Sequence, residues 1–473
     1  MANLKKIMMA SAGGDTQWAL QIKNGDDSSF TGVAPNDDGS NYGIVMNGRS
    51  WSGSIQYVNF LQVDTDGNDV GPYKVLGQAS QKDGPIGRPV RYGRDRWWFA
   101  RHHQYNTDAR VWGWNSSAPL GSAYRQLDSL PGGTYDPVAV ELQGQKLYYG
   151  KDDTGAIFGG EKTANTAGTW YVGGARFSDT GYGVVFDIVK SPSDGAVYAV
   201  KVNSNQNVSI GKMPTLTSSG FPVGSPIHTG SWNMGYTAGA VGYAFYKQRP
   251  NSLTVKFGAS SGYVYACAGY RIIRLNTGGD NTTTALSFSS RWSFSNSPQN
   301  QYSNSRIKYD NVNNKLYWIG NQNATTGDYV TIVQMDDDGV VLGSVKINSN
   351  TTNYSEMRVT GGDSSYKNVG DFFITDNGAL VFGMTLKKTS GNSLRSLVVK
   401  CNFDNLSSLA GITDSDGDEI IASVTNPGCV KQAEATLSPT YNAAMTVQNV
   451  YGAYQQVGYA STAYAPTLKN IPL

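Results

Sequence analysis

One local pattern recurs seven times along this chain: a hydrophobic strand, a tight polar turn, and an aromatic-rich strand ending in a small residue. The turns are Asp37-Asp38-Gly39, Arg94-Asp95, Gln143-Gly144-Gln145, Ser193-Asp194-Gly195, Ser260-Ser261-Gly262, Asn313-Asn314 and Asp376-Asn377-Gly378. The strands that follow begin at Tyr42, Arg96, Lys146, Ala196, Tyr263, Lys315 and Ala379. Turn centres are spaced by about 50 to 67 residues, the period of propeller blades with loop insertions and longer than solenoid units.

A single antiparallel blade cannot bury both of its faces, so blades pack on one another, and closing the ring leaves no end blade exposed. The pattern therefore predicts an all-β fold: a β-propeller of seven blades, each a four-stranded antiparallel sheet. A tandem of β-sandwiches is the competing architecture. Three repeats show a second turn about 25 to 28 residues after the first, at 64–69, at 336–339 and, more loosely, within 395–412. The propeller is expected over 26–414, with a short N-terminal extension at 1–25. Residues 415–473 form either an arm laid on a partner chain or a tail that completes a blade of its own propeller.

Composition agrees. Charged residues are 16% of the chain, below the roughly 25% of ordinary soluble domains, and aromatics reach 11%, which favours strands over exposed helices. The formal charge is 38 − 36 = +2, so no strong field draws nucleic acid or an anionic membrane. Three cysteines, Cys267, Cys401 and Cys429, make no disulfide framework and point to a reducing compartment. No apolar run approaches the roughly 18 residues of a membrane span. Between Lys6 and Ala10 lie only Ile7, Met8 and Met9, too short for a signal-peptide core, so synthesis without secretion is expected.

Two patches carry candidate chemistry. The stretch 88–110 gathers six arginines, two histidines and paired tryptophans. Arginine beside exposed aromatics grips an anionic sugar or phosphate by bidentate bonds and stacking, and Arg94, Arg96, Trp97, Arg101, His102 and His103 are the candidate ligand contacts. Neighbouring strand residues point to opposite faces, however, so one of Trp97 and Trp98 belongs between blades. The second patch is the aspartate turns. Those at 64–69 and 336–339 sit where a strand connection is needed, and turn geometry explains them. Asp414, Asp416 and Asp418 are the candidate ligands of a calcium ion, since hard cations want clustered carboxylates. No other cofactor is expected. The scattered cysteines and histidines do not supply zinc spacing, and no catalytic residue is assigned.

The start of the chain, Met8-Met9-Ala10-Ser11-Ala12-Gly13-Gly14 with Trp18, followed by repeats such as VDTDGNDV at 63–70, resembles bacteriophage tail-associated propeller proteins. The resemblance implies a non-enzymatic structural part of a virion tail (fibre, tip or nozzle-associated adhesin). It implies synthesis in the host cytoplasm, assembly through the termini with other tail proteins and further copies of the chain, and contact with host surface carbohydrate. An intracellular propeller scaffold and a glycan-degrading propeller enzyme are the alternatives.

Overall fold

A computed structural model of the chain describes the strands named below, the short strands Thr215–Leu216 and Pro222–Val223, residues 16, 17, 36 and 262, the turns 38–40 and 65–70, and the continuous stretches 305–321, 329–361, 368–391, 393–433 and 467–473. It is a seven-bladed β-propeller. Each of the seven sheets is antiparallel, and chain order runs outward from an inner strand.

Blade 1 is built from Ser28–Pro35, Asn41–Arg49, Gln56–Asp64 and Lys74–Leu76. Blade 2 follows with Asp83–Arg91, Arg96–His103, Arg110–Asn115 and Tyr124–Leu127, and blade 3 with Pro137–Gln143, Lys146–Lys151, Ile157–Glu161 and Tyr171–Ser178. Blade 4 holds Gly183–Lys190, Val197–Asn203, Asn207–Lys212 and Ile227–Asn233; blade 5 holds Asn251–Lys256, Tyr263–Ala268, Arg271–Asn276 and Ser287–Ser295. Blade 6 comprises Ser305–Asp310, Lys315–Gly320, Tyr329–Met335 and Val341–Ser349. All seven repeat turns fall between the first and second strands of successive blades.

Blade 7 closes the ring and departs from the pattern. Its inner strand is split into Tyr354–Arg358 and Phe373–Ile374, both pairing with Leu380–Lys388, which pairs in turn with Leu394–Cys401. The sequence pattern placed a further turn and strand within 395–412. The chain instead enters a 3-10 helix, Phe403–Leu409, because the fourth position is already filled. Trp18–Lys23, read from the sequence as part of an extension, lies there, with Trp18 opposite Lys400.

The last part of the chain forms a strap around the ring, always as an outermost strand. Ile421–Thr425 joins blade 6, Val430–Ala433 blade 5, Thr446–Ala453 blade 3 and Gln455–Val457 blade 2. Thr467–Pro472 then lies on the far side of Trp18–Lys23. The strap thus travels against the order in which the blades were laid down.

Packing follows the two-residue period of strands. In the N-terminal strand, Trp18, Leu20 and Ile22 enter the core between blades 7 and 1 with Phe30, Val33, Tyr42, Ile44, Val381 and Val398. Ala19 faces the opposite way, into the core shared by blades 6 and 7. Blades 5 and 6 meet around Tyr265, Ile272, Trp292, Ile307, Trp318 and Val333. At roughly 1.5–3 kcal/mol per buried large apolar side chain, these wedges stabilise the contacts between blades.

Candidate functional site

The aspartate turns share one backbone. In each, the first aspartate accepts from the amides two and four residues ahead: Asp64 from Asp66 and Asn68 at 2.9 and 2.8 Å, Asp336 from Asp338 and Val340 at 2.9 and 2.8 Å, and Asp414 from Asp416 and Asp418 at 2.8 and 2.9 Å. The glycine sits at φ 77° in the first two turns and 92° in the third, a region closed to most side chains.

Two of these turns are seated on a tryptophan of the preceding blade. Trp18 underlies Gly67, where a Cβ atom would meet the indole at 2.7 Å, and its Nε1 donates to the Thr65 carbonyl at 3.0 Å. Trp292 underlies Gly339 in the same way, at 2.5 Å. Around this second seat, Tyr265 and Tyr309 stack at 5.8 Å and both donate to Asp337, while Arg274 pairs with Asp338 at 2.9 Å.

The third turn belongs to the strap's approach and has a different surrounding. Lys388, at the end of the second strand of blade 7, places Nζ 2.9 Å from Asp414, 2.9 Å from Asp416 and 2.8 Å from Asp418. Asp414 is fully buried, and Tyr354 donates its hydroxyl to the same carboxylate. Burial pushes the Tyr354 phenol far above its usual range, with the Asp414 bond adding to it, so it stays a donor. Burial also opposes the charge on Lys388, but hydrogen bonds to Asp418, Asp414 and Asp416 outweigh it and raise the ammonium's pKa. For Asp414 burial acts upward, and the bonds from Tyr354, Lys388 and the turn amides bring the carboxyl below its ordinary value.

This geometry corrects the calcium expectation for Asp414, Asp416 and Asp418. The three carboxylates do converge, but on an ammonium. A calcium ion needs six to eight oxygens and no cation in their midst, so these residues do not fit one. Among the described residues no group of three or more histidine, cysteine or acidic side chains is disposed to hold a metal ion. Lys388 carries no motif, and its role was invisible in the sequence.

Of the six candidate residues in the arginine–tryptophan patch, the structure describes the side chain of Trp97 alone. Trp97 is fully buried between blades 1 and 2, its ring 5.4 Å from Phe60 and its Nε1 3.4 Å from Gln62 Oε1. It fills the wedge rather than a ligand surface. Arg96, Arg101, His102 and His103 lie on the same strand, and their side chains, like Arg94, fall outside the described residues.

Near the axis, Arg306 and Lys308 project from the inner strand of blade 6. Arg306 meets Asp187 of blade 4 at 3.5 Å, and Lys308 meets Asp371 of blade 7 at 3.0 Å. Asp187 follows an irregularity in its strand that re-aims the side chain. These four groups, all buried, neutralise one another. The three cysteines are free and buried, and burial pushes the Cys401 thiol up to about 12, which keeps it protonated and unreactive.

No protein-family model matches the chain, and no curated protein sequence matches it. Among solved structures, a periplasmic gluconolactonase of Pseudomonas aeruginosa is similar at 10% identity and TM-score 0.40, over 80% of this chain and 94% of that one. A candidate 6-phosphogluconolactonase of Bacteroides fragilis gives 11% and 0.36, over 87% and 98%. Prolyl oligopeptidase B of Galerina marginata gives 10% and 0.38, over 77% of this chain and 56% of its own. The ring itself is read from strand order and pairing.

Proposed function

We propose that this chain is a non-enzymatic structural propeller of a bacteriophage tail. The observation that carries the reading is the strap: the chain spends its last strands on closing the outer edges of five blades and sealing the seam in the ring. Strand edges left open invite pairing with other chains, and the strap blunts them. The described charged side chains around the axis and at the 414–418 turn are occupied with one another, which fits a scaffold better than a site that changes charge during turnover. The resemblance of residues 8–18 and the D-x-D-G repeats to phage tail propellers supplies the setting.

Imaging of phage particles encoding this chain, with peptide identification from purified virions, tests the proposal. Density for a seven-bladed ring at the tail is the expected result; a chain absent from particles overturns it. Release of reducing sugar from a bacterial polysaccharide by the purified protein overturns its non-enzymatic character.

A further inference from the structure

The turn at 414–418 touches more distant parts of the chain than a strand connection requires. Beyond Lys388 and Tyr354 of blade 7, Lys23 of the N-terminal strand pairs with Asp416 at 3.4 Å. The Ser415 amide donates to the buried Gln21 Oε1 at 3.0 Å. From the C-terminal strand, Lys469 donates to the carbonyls of Thr413 and Asp414 at 2.9 and 2.7 Å. Gln21 and Lys469 are direct partners across the ladder joining the first and last strands. One turn therefore caps a cross-strand pair, with one hydrogen-bond set to each member. Asn353 and Asn350, from the connection between blades 6 and 7, hold the neighbouring Glu419.

We propose that the 414–418 turn is a closure lock that couples the two chain ends, so that the N-terminal and C-terminal strands leave the ring together. Neither strand is anchored to the turn alone. Loosening the turn removes a restraint from both, and freeing either requires breaking its share of the same rigid loop. Lys388 is the bolt: its ammonium fastens the turn to the second strand of blade 7 and neutralises the buried Asp414. The lock acts on the ends of this chain in any assembly, and its test is independent of the tail proposal.

Hydrogen exchange by mass spectrometry on the full chain reads it out. With Lys388→Met, exchange in 18–23 and 467–472 is expected to rise by the same factor, about tenfold or more, and by clearly more than in 263–268 and 329–335. Lys388→Arg, which retains the charge, is expected to restore most of it. Where Lys388→Met does not fold, Tyr354→Phe gives a smaller but equally shared rise. A rise confined to one of the two strands overturns the coupling. So does an unchanged rate in both, or an equal loss of protection across blades 5 and 6.

Discussion

The turns at 336–340 and 414–418 have the same backbone and hydrogen bonds, yet they are held in opposite ways. The first rests its glycine on Trp292, and its outer aspartate, Asp338, stays 74% exposed in its pair with Arg274. The second has nothing within 4 Å of its glycine's missing Cβ and is held by charge, through a lysine side chain only 8% exposed. The motif encodes the loop. What the loop grips is set by whatever the fold carries to it, and the two fastenings respond to different perturbations.

The largest contrast is expected from removing the charge. Lys388→Met strands the buried Asp414 carboxylate and is expected to cost about 4 kcal/mol in urea unfolding, the scale for breaking a buried pair. The contributions from Asp416 and Asp418, 42% and 45% exposed, add little because solvent screens them. A loss below about 1 kcal/mol breaks the comparison.

Glycine substitutions then separate the two seats. Gly339→Ala meets both the left-handed backbone and the Trp292 ring, with an expected loss of about 3 kcal/mol. Gly417→Ala meets only the backbone term, about 1 kcal/mol. Equal losses by thermal melting indicate that the tryptophan seat yields freely.

Acid sharpens the comparison further. Asp414 and Asp416 both lie below the ordinary 3.8 in the folded chain, Asp416 chiefly through its bond to Lys388. Their stabilisation is therefore complete above that value and is lost as pH falls through the lowered values. The raised Lys388 pKa places its own loss in strong alkali. Stability measured from about pH 5 down to 2 is expected to fall in the wild type once pH drops below 3.8, and Lys388→Met is expected to shrink the part contributed by the turn. The smallest effect belongs to Asp338→Ala, about 0.5 kcal/mol, because the pair it breaks lies at the surface.

How much of this was legible in the sequence depends on distance along the chain. The seven turns were readable because each strand's partner lies one turn away and both follow the same alternation. Trp97 was half readable: alternation demanded that Trp97 or Trp98 be buried, but not which. The fourth strand of blade 7 was not readable, since nothing near Trp18 announces a partner at Lys400. Lys388 was hidden for the same reason. Its three carboxylates follow it by about 26 to 30 residues, and their spacing suggested a metal because the cation that satisfies them comes from another strand.

The seating of Trp18–Lys23 between Leu394–Cys401 and Thr467–Pro472 also sets an order of events during synthesis. The strand is made before both of its neighbours: one emerges nearly four hundred residues later and the other later still. Until then the growing propeller is an open arc, and the apolar flank of blade 1, with Phe30, Tyr42 and Ile44, has no facing wall. A nascent chain of this design must keep that flank from other chains until those partners emerge. The interval between the first strand and its late partners, more than the final stability of the ring, is where production of the protein is most exposed to aggregation.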